Sequence, residues 1–240
     1  ENKNHVLCEK PMAVNQKQLE VMIQTAKANN VLLMEAMWTS FLPITIKIIE
    51  IFESNKLGLL KEIELEFGFN LIEDYDMDRR LLNMDLAGGS ILDIGIYPIQ
   101  YALHFMNPAQ LKITAEADFH ETGVDTNCQM LIVDPIRNIT AKLKSSIKEN
   151  LTKNGKLIFE KGIIEIENFH SGTTIFVDCN IIELPYRGEG FVDEIDGFCK
   201  TILSEKIEND IMSYETSLNA IKVSDKVRSI INLVYPFEKK

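Results

Sequence analysis

Six short apolar segments in the second half of the chain, 114–119, 128–133, 139–147, 156–159, 163–166 and 174–179, constrain its fold more than any other feature. Turn-forming residues punctuate them: Asp134-Pro135, Asn154-Gly155 and Ser171-Gly172. A parallel connection needs a crossover of a dozen or more residues, and most of these gaps are too short for one. The spacing therefore predicts a mainly antiparallel sheet. A further strand is expected over 61–70, where Ile63, Leu65, Phe67 and Phe69 alternate with Glu62, Glu64, Glu66 and Gly68.

The beginning of the chain has a different grammar. Val6 to Cys8 reads as a buried strand, Val14 to Asn30 as an amphipathic helix through Leu19, Met22, Ile23 and Ala26, and Val31 to Met34 as a second strand. Strand, helix, strand at this spacing is a βαβ unit with parallel strands, and ligands bind beyond the carboxyl ends of such strands. Glu9-Lys10-Pro11 and Glu35-Ala36-Met37-Trp38 follow the two strands, so both lie on that edge. The chain leads directly into its first strand and reads as a piece of a longer one. Helices are further expected over 43–54, 191–204 and 214–233, with an irregular segment over 71–86.

Composition excludes some functions. With 36 acidic and 25 basic residues the net charge is −11, which disfavours nucleic acid and anionic membranes as partners. No apolar run approaches the ~20 residues of a spanning helix. Cys8, Cys128, Cys179 and Cys199 are widely separated and lack metal-ligand spacing, so reduced thiols in a cytoplasmic protein are the simplest reading.

The stretch with most chemical content is Gly88-Gly89-Ser90-Ile91-Leu92-Asp93-Ile94-Gly95-Ile96-Tyr97-Pro98, the start of a buried helix running to about Met106. Asp93 and Tyr97 interrupt its apolar surface four residues apart, which places a carboxylate and a phenol on one helix face. Gly95 between them is expected to let a flat ligand approach the backbone, and Pro98 to bend the helix. The pair serves either catalysis or a buried Tyr–Asp bond; the residues alone leave both open.

Cys8-Glu9-Lys10-Pro11, Glu35-Ala36-Met37-Trp38, Gly88-Gly89 with Asp93-Ile94-Gly95-Ile96-Tyr97, His120-Glu121-Thr122-Gly123-Val124-Asp125 and Tyr235-Pro236 occur in an order that resembles the Gfo/Idh/MocA family of nicotinamide-dependent oxidoreductases. The resemblance is greatest to its dihydrodiol and NADP-dependent aldose dehydrogenase branch. It implies an α/β remnant of a Rossmann domain over 1–38 and an α+β substrate-binding and dimerisation domain over 39–240, with a mainly antiparallel open β-sheet that packs against a second subunit as a homodimer. The family's G-x-G-x-x-G phosphate loop has no counterpart in this sequence.

The implied chemistry is hydride transfer between a carbinol carbon of a dihydrodiol, sugar or polyol and NADP or NAD. Tyr97 matches the family's general acid/base, and Lys10 its catalytic lysine, whose ammonium would favour the phenolate. Asp93 would orient Lys10 or bond substrate hydroxyls. Glu9, Lys10, Pro11 and Trp38 would line the cofactor, and Trp38 and Phe67 the substrate pocket. The His120–Asp125 loop reads as a structural turn, and no metal is expected. The competing expectation is a catalytically inactive truncated binding or dimerisation module; the retention of Lys10, Asp93 and Tyr97 together favours the enzyme.

Overall fold

The computed structural model describes residues 3–72, 80–188 and 190–238. Strand β1 spans Val6–Glu9, helix α1 Gln16–Ala28 and strand β2 Leu33–Ala36. β1 and β2 pair in parallel, with Cys8 opposite Glu35, so the ends carrying Lys10 and Trp38 lie side by side. Asn15 caps α1: its side chain accepts the Gln18 N–H at 3.0 Å, and Leu19, Ile23 and Ala26 form the buried face. A 3-10 turn over Trp38–Phe41 and helix α2, Pro43–Glu53, follow. Pro43 fits the first helical position, where its missing N–H is not needed.

Among the described residues eight strands form the main sheet: β3 (Leu60–Gly68), β4 (Lys112–Phe119), β5 (Asp125–Asp134), β6 (Ile139–Ser146), β7 (Gly155–Phe159), β8 (Ile163–Glu167), β9 (Thr174–Val177) and β10 (Asn180–Glu183). Their order is β10-β9-β8-β7-β3-β6-β5-β4. All neighbours are antiparallel except β3 and β6, which run parallel with Leu65 opposite Leu143. The sequence places one strand over 174–179, but a hairpin is found. Asp178 turns the chain at a φ of 53° and its carboxylate accepts the Ile163 N–H at 2.9 Å, so Asn180 returns beside Val177.

The expected helix from Gly88 begins with a π-helical turn over Ile91–Gly95 and continues as α3, Ile96–Leu103. It lies on the inner face of the sheet, where Ser90 and Ser145 of β6 share a 2.8 Å hydrogen bond. Gly95 is part of this contact, since a Cβ there would stand 3.0 Å from the Ser145 hydroxyl. That corrects the expected role of Gly95: it lets helix meet sheet and does not open the backbone to a ligand.

Helix α4 covers Phe191–Leu203 and α5 Tyr214–Ile230. One core joins the inner sheet face to α2 and α3, while a second joins α1 to Tyr214, Ile221, Leu233 and Tyr235. β2 serves both, with Met34 in the first and Leu33 in the second. The Tyr235 hydroxyl donates to the Gly88 carbonyl at 2.7 Å, tying the tail to the start of the central helix. The outer sheet face carries cross-strand ion pairs, including Lys142 to Glu64 at 3.2 Å and Lys156 to Glu165 at 3.3 Å. Phe169 is fully buried beside Phe67 and Tyr101, because the turn after β8 folds over the core edge. Ile163 is half-buried. Of the irregular segment, 73–79 lies outside the described residues, and short 3-10 turns occupy Arg80–Leu82 and Met84–Leu86.

Asp125 anchors the central helix. One carboxylate oxygen accepts the Ile91 N–H at 2.8 Å, and Gly89, at a φ of 116°, leaves space for the other where a Cβ would collide. The expected structural role of this loop thus has a physical basis. Burial raises the Asp125 carboxyl to about 7, against about 3.9 for an unfolded Asp. A raised folded-state value means that this group's contribution to stability is full below about pH 4 and is lost as pH rises through about 7. Asp125→Asn cannot ionise, so its urea midpoint should fall less than that of the parent between pH 4 and pH 7.5. Parallel profiles would remove Asp125 as the source.

Candidate active site

Several elements meet at the carboxyl ends of β1 and β2. β1 delivers Glu9 and Lys10, with the Lys10–Pro11 peptide in the cis form. The Lys10 Nζ donates to the main-chain carbonyl of Asp93 at 2.5 Å and lies 3.7 Å from the Asp93 carboxylate. It also stands 4.8 Å from the centroid of the Tyr97 ring. Continuing the π-helical register would pair the Asp93 carbonyl with the N–H of residue 98, and Pro98 has none. The lysine gives this carbonyl a donor from outside the helix. Lys10, Asp93 and Tyr97 are therefore brought together, with both side-chain contacts on one side of the helix.

The aromatic walls also converge. Phe67, near the end of β3, meets Tyr97 edge to face at 5.5 Å. Trp38 reaches the same place, where its ring and that of Tyr97 both meet His170, at 4.7 and 4.6 Å. Helix α4 closes over Trp38: Phe191 lies 5.1 Å from its ring, and Gly190 leaves no room for a Cβ against it. Glu9 ends β1 exposed, and its charge acts on Lys10 and Tyr97. Behind the lysine, buried Glu35 accepts the Met12 N–H at 3.2 Å and fixes the segment that follows Pro11.

Burial controls the electrostatics. It pushes the Tyr97 phenol well above its ordinary range, and Glu9, Asp93 and Glu194 act in the same direction, while Trp38 opposes them. Lys10 sits over the ring, and burial is the largest influence on the phenol, opposite in direction to what an ammonium would exert. Lys10 itself is lowered by burial, against the pull of Asp93, with the nearby Arg80 adding to the lowering. Glu194 rises to about 7 through burial and the charge of Glu9.

Three residues of this site escape sequence reasoning. Arg80 binds the Asp93 carboxylate at 2.5 Å from a segment with no periodic signal. His170 lies in the turn after β8, where Ser171-Gly172 reads only as punctuation, yet its ring contacts Phe67, Trp38 and Tyr97. Glu194 sits on a helix whose packing partner is not visible in its own sequence. No local pattern distinguishes any of the three.

A profile of the GFO/IDH/MocA C-terminal domain matches residues 45–164. Trans-1,2-dihydrobenzene-1,2-diol dehydrogenase of Xenopus tropicalis is 32% identical over 248 residues, which cover 98% of this chain and 74% of that protein. D-xylose 1-dehydrogenase (NADP(+)) of Hypocrea jecorina is 26% identical over 267 residues, covering 97% of this chain and 68% of the relative. Among solved structures, a 3-ketoreductase from Actinomadura kijaniata in complex with NADP and TDP-benzene superposes with a TM-score of 0.83 at 22% identity, over 95% of this chain and 71% of that one. An aldose-aldose oxidoreductase from Caulobacter crescentus complexed with glycerol gives 0.82 at 23% identity, over 95% and 70%. These two likenesses establish the shared fold.

The phenol's state is directly measurable. A free phenol is half-ionised near pH 10. The difference in 295 nm absorbance between the parent and Tyr97→Phe should therefore stay flat through pH 10. A difference that titrates between pH 7 and pH 10 would show that the ammonium prevails over burial.

Proposed function

Because this chain belongs to the Gfo/Idh/MocA family of oxidoreductases, we propose that it transfers a hydride between a carbinol carbon of a dihydrodiol, sugar or polyol and NADP, with Tyr97 as general acid/base. The observation that carries the reading is the contact of one lysine, Lys10, with both Asp93 and Tyr97. A buried phenol, carboxylate and ammonium together are costly to assemble and are well suited to moving a proton.

In carbonyl reduction the neutral Tyr97 phenol donates its proton to the oxygen that becomes the hydroxyl. In the reverse direction it receives that proton. The Lys10 ammonium stabilises negative charge developing on the same oxygen, and Asp93, held between Lys10 and Arg80, keeps the lysine in place. Trp38 and Phe67 exclude water and pack against the substrate. NADP, when bound, supplies the hydride acceptor or donor. Glu9, Lys10, Pro11 and Trp38 would line it, since the parallel pairing of β1 with β2 brings all four to one edge beside Tyr97. In this reading 1–38 belongs to the cofactor domain and 39–240 to the substrate domain. Four free cysteines accord with a reducing compartment, and we place the protein in the cytoplasm on that ground.

The outer sheet face supports a homodimer. It is broad and uncovered, with Leu131 exposed and Ile158, Ile163 and Phe176 half-buried among the charged pairs. Alternating cross-strand charges of both signs suit a two-fold contact that sets a surface against itself.

Tyr97→Phe keeps the ring and removes the proton carrier, so in the complete protein turnover should fall by ~10²–10⁴ while cofactor affinity holds. Lys10→Met should also lower turnover, and the double variant should lose much less than the product of the single losses. Steady-state rates and thermal melts on the same proteins decide the matter. A Tyr97→Phe enzyme within a few-fold of the parent rate removes the phenol from the mechanism, and a lower melting temperature with normal turnover assigns it a structural role.

For the assembly, sedimentation at high micromolar concentration should give a dimer, and Leu131→Glu should shift it toward monomer. A parent protein that sediments as a monomer at that concentration contradicts the sheet-mediated dimer.

A further inference from the structure

His170 carries an inference that deepens the proposed hydride-transfer reading and rests on it. The imidazole stacks on Phe67 with centroids 4.3 Å apart and planes 24° from parallel. It meets Trp38 edge to face at 4.7 Å and Tyr97 edge to face at 4.6 Å. A histidine thus completes the aromatic enclosure around the phenol. Its backbone surroundings are fixed: the Phe169 N–H donates to the Lys153 carbonyl at 2.9 Å, and the Tyr186 hydroxyl to the Ser171 carbonyl at 2.9 Å.

Among the described residues no hydrogen bond reaches either ring nitrogen of His170, although the side chain is only half-buried and held by three rings. Burial, together with Lys10 and Lys153, holds the ring neutral, with a value of about 3. It therefore presents one N–H and one lone pair at any physiological pH. A second polar group lies one helical turn from Phe191, which packs on Trp38. Glu194 is buried on α4, one of its carboxylate oxygens has no hydrogen bond, and its charge reaches Tyr97. Two elements distant in sequence thus bring polar atoms without a protein partner to the vicinity of the phenol. An apolar ring filling this space would desolvate them without compensation, whereas hydroxyl groups would pair with them.

We propose that His170 is a specificity-determining residue of this site: a ring nitrogen hydrogen-bonds a substrate hydroxyl two or more carbons from the reacting carbon and so favours polyhydroxylated substrates over cyclic diols with an otherwise apolar ring. Its contact with Phe67 supplies orientation, and its nitrogens supply discrimination. A phenylalanine at this position would keep the first and lose the second.

The test compares kcat/KM for D-xylose and for trans-1,2-cyclohexanediol in the complete protein with NADP. In His170→Phe the xylose-to-cyclohexanediol ratio should fall by roughly 10- to 100-fold. In His170→Gln, which retains hydrogen-bonding groups, the ratio should stay within a few-fold of the parent even if both rates drop. An equal change on both substrates in His170→Phe overturns the proposal, because a merely structural histidine affects both alike. A second measurement needs neither turnover nor a folded phenylalanine variant. In the parent labelled with ¹⁵N-histidine, D-xylose should shift the His170 ring resonances, and trans-1,2-cyclohexanediol at equal occupancy should not. Absence of a xylose-induced shift at saturation overturns the specificity role. If neither compound is oxidised, the hydride-transfer reading fails for these substrate classes, and the resonance titration still decides the role of His170.

Discussion

One hydrogen bond joins the two halves of this molecule's chemistry: the Lys10 ammonium on the Asp93 carbonyl. Two constraints meet there. Lys10 leaves the end of a parallel strand, where the chain must emerge from the sheet. Asp93 lies in a π-helical turn that a proline follows closely, and its carbonyl accepts a donor from outside the helix. The ammonium satisfies that acceptor and is thereby held over the Tyr97 ring, 4.8 Å from its centroid. Glu35 fixes the segment beyond Pro11, and Asp125 and Tyr235 fix the start of the helix at Ile91 and Gly88. The geometry of the site depends on these attachments more than on any contact between the site side chains themselves.

Around this bond the aromatic enclosure sets the electrostatics. Phe67, Trp38, Tyr97 and His170 pack edge to face or stacked, and water is largely excluded. Low polarity disfavours any charge that is not paired, so the phenol and the imidazole remain neutral while Lys10 and Asp93 stay close to each other. A neutral phenol beside an ammonium is the arrangement required to protonate a carbonyl oxygen as it accepts a hydride. Burial here prepares an acid, and the base of the reverse reaction arises only once that proton has been given up.

The sheet supplies the platform. Its central strand β3 enters between β6 and β7, parallel to one and antiparallel to the other, so that Phe67 reaches the edge where Tyr97 and His170 arrive. The alternation of Ile63, Leu65 and Phe67 with Glu62, Glu64 and Glu66 then has two consequences. The apolar residues receive the helix, while Glu62 and Glu64 meet Lys142 across the outer face and Glu66 accepts the Thr152 N–H. The inner face organises the site, while the outer face remains available for association.

Local pattern determined much of this protein. Alternation marked β3, short apolar segments between turns marked β4 to β9, helical spacing marked α1, and the four-residue interval marked Asp93 and Tyr97 as neighbours. These features are legible because strand and helix periods are properties of adjacent residues. The tertiary structure alone decided the rest: the hairpin at Asp178, the burial of Phe169, the packing of Gly95 on Ser145, and the arrival of Arg80, His170 and Glu194 at the site. None of these carries a periodic signature. Each depends on which distant backbone comes close, and the state of the phenol depends on how completely that approach removes water, a quantity that no spacing along the chain encodes.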